Sequence, residues 1–171
     1  MAKEINTYKR DDLFAATPPL EAMKILFSAA VTEGIGYTLG EEEQGFVPVF
    51  LDSIRAYYQA RATREIDIDL PEEDGQEGLC GGLLKYLQGA RDVVFNWERE
   101  YSNWLGDIGF VRGTGHACVY FYSAKRLRLV VHGDDFTALG PETEARWFAD
   151  AFCKRFDAKN ERANWTWEKP C

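Results

Sequence analysis

Apolar residues recur along the chain with two different periods, and the longer period predicts the helices. In three segments apolar side chains return every three or four residues, which is the spacing of an amphipathic helix. The first segment starts at Thr17, whose hydroxyl precedes two prolines, and ends before Gly34. The other two predicted helices cover residues 91–108 and about 142–156.

Shorter apolar segments predict strands. Residues 46–51 (FVPVFL) are continuously apolar, as in a strand buried on both faces. Residues 65–70 (EIDIDL) alternate between acidic and apolar side chains, as in a strand with one buried face. Residues 117–122 and 127–131 are joined by a polar SAKR turn, and 136–139 follows the sharp turn GDD. The order of these elements predicts an α+β fold, in which helices pack on one face of an antiparallel sheet.

The composition fits one folded domain. Of the 171 residues, 46% are apolar and 14% aromatic, which is enough to form a core. The chain contains no signal-peptide core and no stretch of roughly 18 apolar residues that could span a membrane. Four scattered cysteines include no CxxC pair, which argues against structural zinc. We therefore expect a soluble intracellular protein, cytoplasmic or nuclear, without a membrane partner.

Three aspartates stand at positions where they could meet. Asp52 follows one predicted strand, and Asp134 and Asp135 occupy the turn between two others. Aspartates are common at such positions because their side chains bond to the local backbone. Two adjacent acids between apolar strands are less common, because their repulsion favours a bound cation. Carboxylate oxygens suit Mg²⁺, and a pair of such ions can assist phosphoryl transfer.

Three motifs share their order and spacing with a known family. FLDSIRAYYQ, LLKYLQGARDVVFNW and LVVHGDDFTALG resemble the central motifs of copia-type retrotransposon reverse transcriptases. DDLFAATPPLEAMKILFSAA and CKRFDAK resemble the segments that flank them, so the likeness covers residues 11–159. It implies a palm-like domain over residues 17–159, preceded by a polar segment, 1–16, and followed by a divergent tail, 160–171.

The resemblance also implies the metal ligands. Asp52 matches the aspartate of the first motif, and Asp134 and Asp135 match the pair at the hairpin turn, with Asp134 expected more strongly as a direct ligand. The implied cofactor is Mg²⁺ or Mn²⁺. The implied partners are an RNA or DNA template with its primer and deoxynucleoside triphosphates.

Further residues correspond to the family's nucleotide pocket. Tyr57 lies where reverse transcriptases keep an aromatic residue that excludes a ribose 2′-hydroxyl, although aromatic residues are also common in cores. Gln88 and Gly89 match a tight turn that packs against the incoming nucleotide and the template. His132 and Gly133 replace the Tyr and Val that usually precede the two aspartates, and we treat His132 as a supporting residue.

The implied function is that of an RNA-directed DNA polymerase using two-metal nucleotidyl transfer. We expect the isolated chain to extend a primed RNA template poorly or not at all, because its length leaves no room for the family's fingers, thumb and ribonuclease H parts. The net charge of −8 also argues against a strong grip on nucleic acid. Two alternatives are a catalytically silent retroelement remnant and a small acidic module that binds a divalent metal.

Overall fold

A computed structural model describes residues 17–32, 46–71, 73–74, 78–87 and 92–160 of the chain. Contacts divide the chain into two compact units. Among the described residues, the sheet unit comprises those up to Ile54 and from Leu105 onwards, and the inserted unit comprises those from Arg55 to Trp104. The strands in the described ranges are β1 Phe46–Ser53, β2 Asp67–Ile68, β3 Gly81–Gly82, β4 Val111–Arg112, β5 Val119–Tyr122, β6 Leu127–His132, β7 Asp135–Pro141 and β8 Ala158–Asn160. The helices there are α1 Leu20–Thr32, α2 Ala56–Gln59, α3 Val93–Asp107 and α4 Glu142–Arg155.

The sheet unit contains a six-stranded antiparallel sheet in the order β4-β5-β6-β7-β1-β8. The predicted apolar segments form its centre, and short strands form both edges. Together with the helices, this sheet confirms the α+β class. None of the helices in the described ranges is long and apolar enough to cross a membrane.

One face of the sheet packs against α4. Leu51, Phe136 and Val131 lie directly opposite one another on β1, β7 and β6, and all three are buried. The ring of Phe136 lies 4.5 Å from that of Phe152 on α4, measured between centroids. Residues directly opposite in an antiparallel sheet point to the same face, so this row forms the core beneath α4.

The other face packs against α1. Leu26 of α1 lies in a buried cluster with Val130 and Leu139, and Phe27 contacts Phe50 at 6.1 Å between ring centroids. These sheet residues alternate with those that face α4. The expectation of helices on one face is therefore corrected for α1 and α4, which cover opposite faces. The physical reason is that the central strands carry apolar side chains on both faces, and each face requires its own cover.

The inserted unit contains α3 as far as Trp104 and a two-stranded sheet of β2 and β3. The predicted strand over 65–70 is reduced to Asp67–Ile68, which pairs with Gly81–Gly82. Trp97 of α3 is buried and contacts Tyr101, with ring centroids 5.6 Å apart. This helix therefore uses its apolar stripe for packing, as its period predicts.

A polar network fixes the start of α3. Tyr86 is fully buried, and its hydroxyl donates a hydrogen bond to the Asp92 carboxylate at 2.9 Å. The Arg64 guanidinium donates two more, at 3.2 and 3.3 Å. Thr63 Oγ1 lies 2.9 Å from the Tyr86 hydroxyl and donates to Asn96 Oδ1 at 3.2 Å. The network ties the segment after α2 to the first turn of α3.

Asp92→Asn is expected to destabilise the inserted unit by about 1–3 kcal/mol at pH 7, because hydrogen bonds to a charged group contribute about that much. Burial raises the pKa of Asp92, but hydrogen bonds from Arg64 and Tyr86 outweigh it and hold the pKa below its usual 3.8. The carboxylate therefore stabilises the fold above the unfolded-state pKa, and this stability is lost as the pH falls through the lower folded-state pKa. Urea unfolding of both proteins between pH 2 and 7 measures the effect. A difference between them that does not shrink at acid pH would contradict it.

Candidate functional site

The end of β1 carries Asp52. Alternation along this strand sends Leu51 and Ser53 into the core beneath α4, and both are buried. Asp52 lies between them and points to the opposite face, where it is half-buried. A shift of one residue in the pairing would exchange these faces, so the apolar core fixes the position of the carboxylate.

The β6–β7 hairpin carries the other two acids. His132 and Asp135 pair across the hairpin, and Gly133 and Asp134 form the two-residue turn between them. Gly133 has a φ of 67°, a conformation that favours glycine. Glycine at the first of two turn positions, with a positive φ there alone, is typical of a type II′ hairpin turn.

Gly133→Ala is expected to lower the free energy of unfolding by about 1–2 kcal/mol, the cost of a left-handed backbone for a residue with a Cβ. An added Cβ would meet no atom within 4 Å, so the effect comes from the backbone and not from a clash. Gly115→Ala is the matched control, because Gly115 also has open space but no positive φ. Equal decreases in melting temperature for Gly133→Ala and Gly115→Ala, relative to the unmodified protein, would contradict this explanation.

The strand register brings the site residues into one row. Asp52 lies directly opposite Asp135, which lies directly opposite His132. The Ser53 amide donates to the Asp134 carbonyl at 3.0 Å, so Asp52 and Asp135 form the adjacent non-hydrogen-bonded pair. In such pairs the Cα atoms are about 4.5 Å apart and the side chains are closest.

The row continues on the other side of Asp52. Lys159 of β8 lies directly opposite Asp52, so the order across four strands is Lys159, Asp52, Asp135, His132. These four side chains share the face of the sheet that packs against α1. The like charges of the two facing aspartates are unfavourable, whereas the ammonium group of Lys159 offsets part of that repulsion.

A cleft opens above this row, beside the first half of α1. Its volume is about 230 Å³, below the roughly 300–1,000 Å³ of typical ligand pockets, so it fits a hydrated cation or a phosphate group better than a whole nucleotide. Asp134 and Lys159 do not line it. The lining residues are Met23, Phe50, Leu51, Asp52, Val130, His132, Asp135, Phe136 and Thr137.

The donor chemistry of the cleft suits a divalent cation. Asp52 and Asp135 offer carboxylate oxygens from facing positions on neighbouring strands, and oxygen ligands are those that Mg²⁺ and Mn²⁺ prefer. Within the described ranges, no three His, Cys, Asp or Glu side chains are already grouped so that they could hold a metal ion. Closing such a site would therefore require side-chain rotation, but no change in the strand pairing.

Not all of the predicted site residues belong to this row. Asp52 and Asp135 line the cleft, and Asp135 is exposed at its edge, whereas Asp134 is exposed at the turn and does not line it. Tyr57 is half-buried in α2 of the inserted unit, and its role as a sugar filter stays a prediction. Gln88 and Gly89 lie outside the described residues.

Two residues in the row, Lys159 and His132, were not among the predicted metal-binding or nucleotide-binding residues. The sequence presents Lys159 only as the last residue of CKRFDAK, and it indicates only a supporting role for His132. The signal for Lys159 was weak, because only the pairing of a three-residue edge strand brings it beside Asp52.

Comparisons with protein-family models, curated proteins and solved structures returned no match.

Proposed function

We propose that this chain is an RNA-directed DNA polymerase domain of the copia-type retrotransposon class, which adds deoxynucleotides to a primer. The observation that supports this most is the pairing of β1 with β7. It makes Asp52 of the first motif a direct neighbour of Asp135 of the third motif. Two acids assigned to one site by motif likeness, but far apart in sequence, are thus neighbours in the sheet.

In this proposal Asp52 and Asp135, with Asp134 at the adjoining turn, hold Mg²⁺ or Mn²⁺. Bound divalent ions would supply charge stabilisation for the attacking and leaving oxygens of nucleotidyl transfer. The strand pairing fixes the backbone positions of the two aspartates before substrate arrives, so that only side-chain rotation is left to bring the carboxylates together. Met23 and Phe50 provide an apolar wall on one side of the cleft.

Lys159 contributes a positive charge at the edge of the same row. Its ammonium group can interact with an anionic phosphate that approaches Asp52 from the β8 side. The acidic row alone would repel that phosphate. A fixed cation next to the carboxylates therefore favours a triphosphate substrate over a neutral one.

The proposal is tested by primer extension with the whole chain, an RNA template, a DNA primer, deoxynucleoside triphosphates and Mg²⁺ or Mn²⁺. Low salt is required, because a protein of net charge −8 gains little from counterion release. We expect poor incorporation or none, and any incorporation should depend on the cation and decrease steeply with added salt. The control is Asp134→Asn combined with Asp135→Asn, which keeps the side-chain shapes but removes both charges.

The outcomes separate the candidate functions. Incorporation that is lost in the double variant supports the polymerase. Incorporation that is unchanged in the double variant rules out this acidic row as its site. If the chain binds Mn²⁺ through these acids but incorporates no nucleotide, it is the silent remnant or a cation-binding module.

A further inference from the structure

The row of site residues is electrostatically asymmetric. Lys159 lies beside Asp52 at one end, and His132 lies beside Asp135 at the other. A divalent cation is repelled by the ammonium group of Lys159, whereas an imidazole nitrogen is a common metal ligand. The Lys159 end is therefore the less favourable position for a cation.

The cleft has the same asymmetry. It is lined by Asp52, Asp135 and His132, but not by Lys159. His132 is exposed, and its partner across the hairpin, Asp135, lies between His132 and Asp52 in the row. Asp135 lies directly opposite both His132 and Asp52, at a Cβ spacing of about 4.5–5.5 Å in each pair, whereas His132 and Asp52 lie two strands apart. A shared cation would therefore lie above Asp135, with the imidazole and the Asp52 carboxylate rotated towards it from either side.

Nitrogen in the ligand set changes which cation is preferred. Mg²⁺ is bound almost entirely by oxygen ligands and water. Imidazole is instead a common ligand of transition metals, for which the affinity of nitrogen and oxygen sites increases from Mn²⁺ onwards along the first row. A site with two carboxylates and one imidazole should thus discriminate against Mg²⁺.

We propose that His132 is a nitrogen ligand of the divalent cation held by Asp52 and Asp135. This inference rests on the proposed cation site and does not require polymerase activity. The site then prefers Mn²⁺ to Mg²⁺. His132 thereby acts in cation selection, a role distinct from that of the carboxylates.

Direct Mn²⁺ binding to the whole chain tests this role. The signal of free Mn²⁺ in electron paramagnetic resonance gives the affinity of the chain for Mn²⁺. Competition with Mg²⁺ in the same experiment gives its affinity for Mg²⁺. His132→Gln and His132→Tyr are each expected to weaken Mn²⁺ binding by about 10–100-fold. Loss of a residue that only hydrogen-bonds to a metal ligand already has an effect of this size, and loss of a direct ligand should have at least the same effect. Mg²⁺ affinity should change little. Thermal melting of each variant verifies its folding.

The chain provides a matched control, because His116 is the other of its two histidines. His116 lies in the loop between β4 and β5, where its Nδ1 accepts a hydrogen bond from the Cys118 amide at 3.3 Å. His116→Gln should leave Mn²⁺ affinity unchanged. In proton spectra, substoichiometric Mn²⁺ should broaden the imidazole signals of His132 before those of His116.

The remaining outcomes distinguish this inference from the proposed function. Unchanged Mn²⁺ affinity in both His132 variants, with a loss in Asp52→Asn, overturns the role of His132 but leaves the carboxylate site standing. An equal loss of Mn²⁺ and Mg²⁺ in the His132 variants overturns the selectivity. If neither the His132 variants nor Asp52→Asn weakens binding, both the inference and the proposed cation site are wrong.

Discussion

Under the proposed function, Asp52→Asn is expected to reduce any nucleotide incorporation by the chain on the order of a hundred- to a thousandfold, the usual effect of removing one preorganised electrostatic group from an active site. The substitution preserves shape but removes the charge that faces Asp135 in the cleft. Without that charge, the pair cannot neutralise a divalent cation as well. Single-nucleotide incorporation, measured at saturating substrate, gives the effect directly.

The fold should tolerate this change. Asp52 is directly opposite Asp135 on one side and Lys159 on the other, so the variant loses one repulsion and one attraction. Each such cross-strand pair contributes roughly 0.2–1 kcal/mol, and the two contributions have opposite signs. The midpoint of urea unfolding should therefore stay nearly the same. Lost activity together with a large loss of stability would mean that the defect is structural.

Asp150→Asn is the matched control for charge. Asp150 lies exposed on α4, outside the cleft, and its neutralisation changes the net charge by the same amount. It should leave incorporation within about twofold of the unmodified protein, as expected for a surface residue away from the site. An equal loss in both variants would show that net charge, and not the position of Asp52, controls activity.

Most of the long elements were predictable because each carries its own period. The sequence predicted the cores of α1, α3 and α4, together with β1, β5, β6 and β7. The strand predicted over 65–70 is present only as β2, Asp67–Ile68, whereas the two-residue strands β3 and β4 and the four-residue helix α2 were not predicted, because a period cannot be read from so few residues. Their positions depend on pairing partners elsewhere in the chain.

The candidate site was predictable only in part. Asp52, Asp134 and Asp135 were identified from motif likeness and from their positions near strand ends. The sequence could not determine which member of the adjacent pair faces Asp52, because a change of one residue in register exchanges the two faces of a strand. Asp134 was favoured as a ligand, whereas the register aligns Asp135 with Asp52.

Phe152→Ala is expected to cause the largest loss of stability, about 3–5 kcal/mol, because it removes a large aromatic side chain from the core. Phe152 has no exposed surface. Its ring lies 4.5, 6.0 and 5.1 Å from those of Phe136, Phe148 and Phe156, measured between centroids. Such aromatic pairs add about 0.5–1.5 kcal/mol beyond the burial of area. Urea unfolding, followed by far-ultraviolet circular dichroism, measures the difference.

This loss should also affect the site, because Phe136 packs on Phe152 and immediately follows Asp135 in β7. A small domain is stable by only about 5–15 kcal/mol, so 3–5 kcal/mol is a large fraction of what holds the acidic row in register. Phe121→Ala is the matched control: Phe121 lies on β5 with 43% of its surface exposed, and its truncation should cost about 1 kcal/mol or less. Phe152→Leu should recover much of the loss, because leucine refills part of the cavity. Equal destabilisation by Phe152→Ala and Phe121→Ala would mean that the aromatic cluster beneath α4 is not the core of the sheet unit.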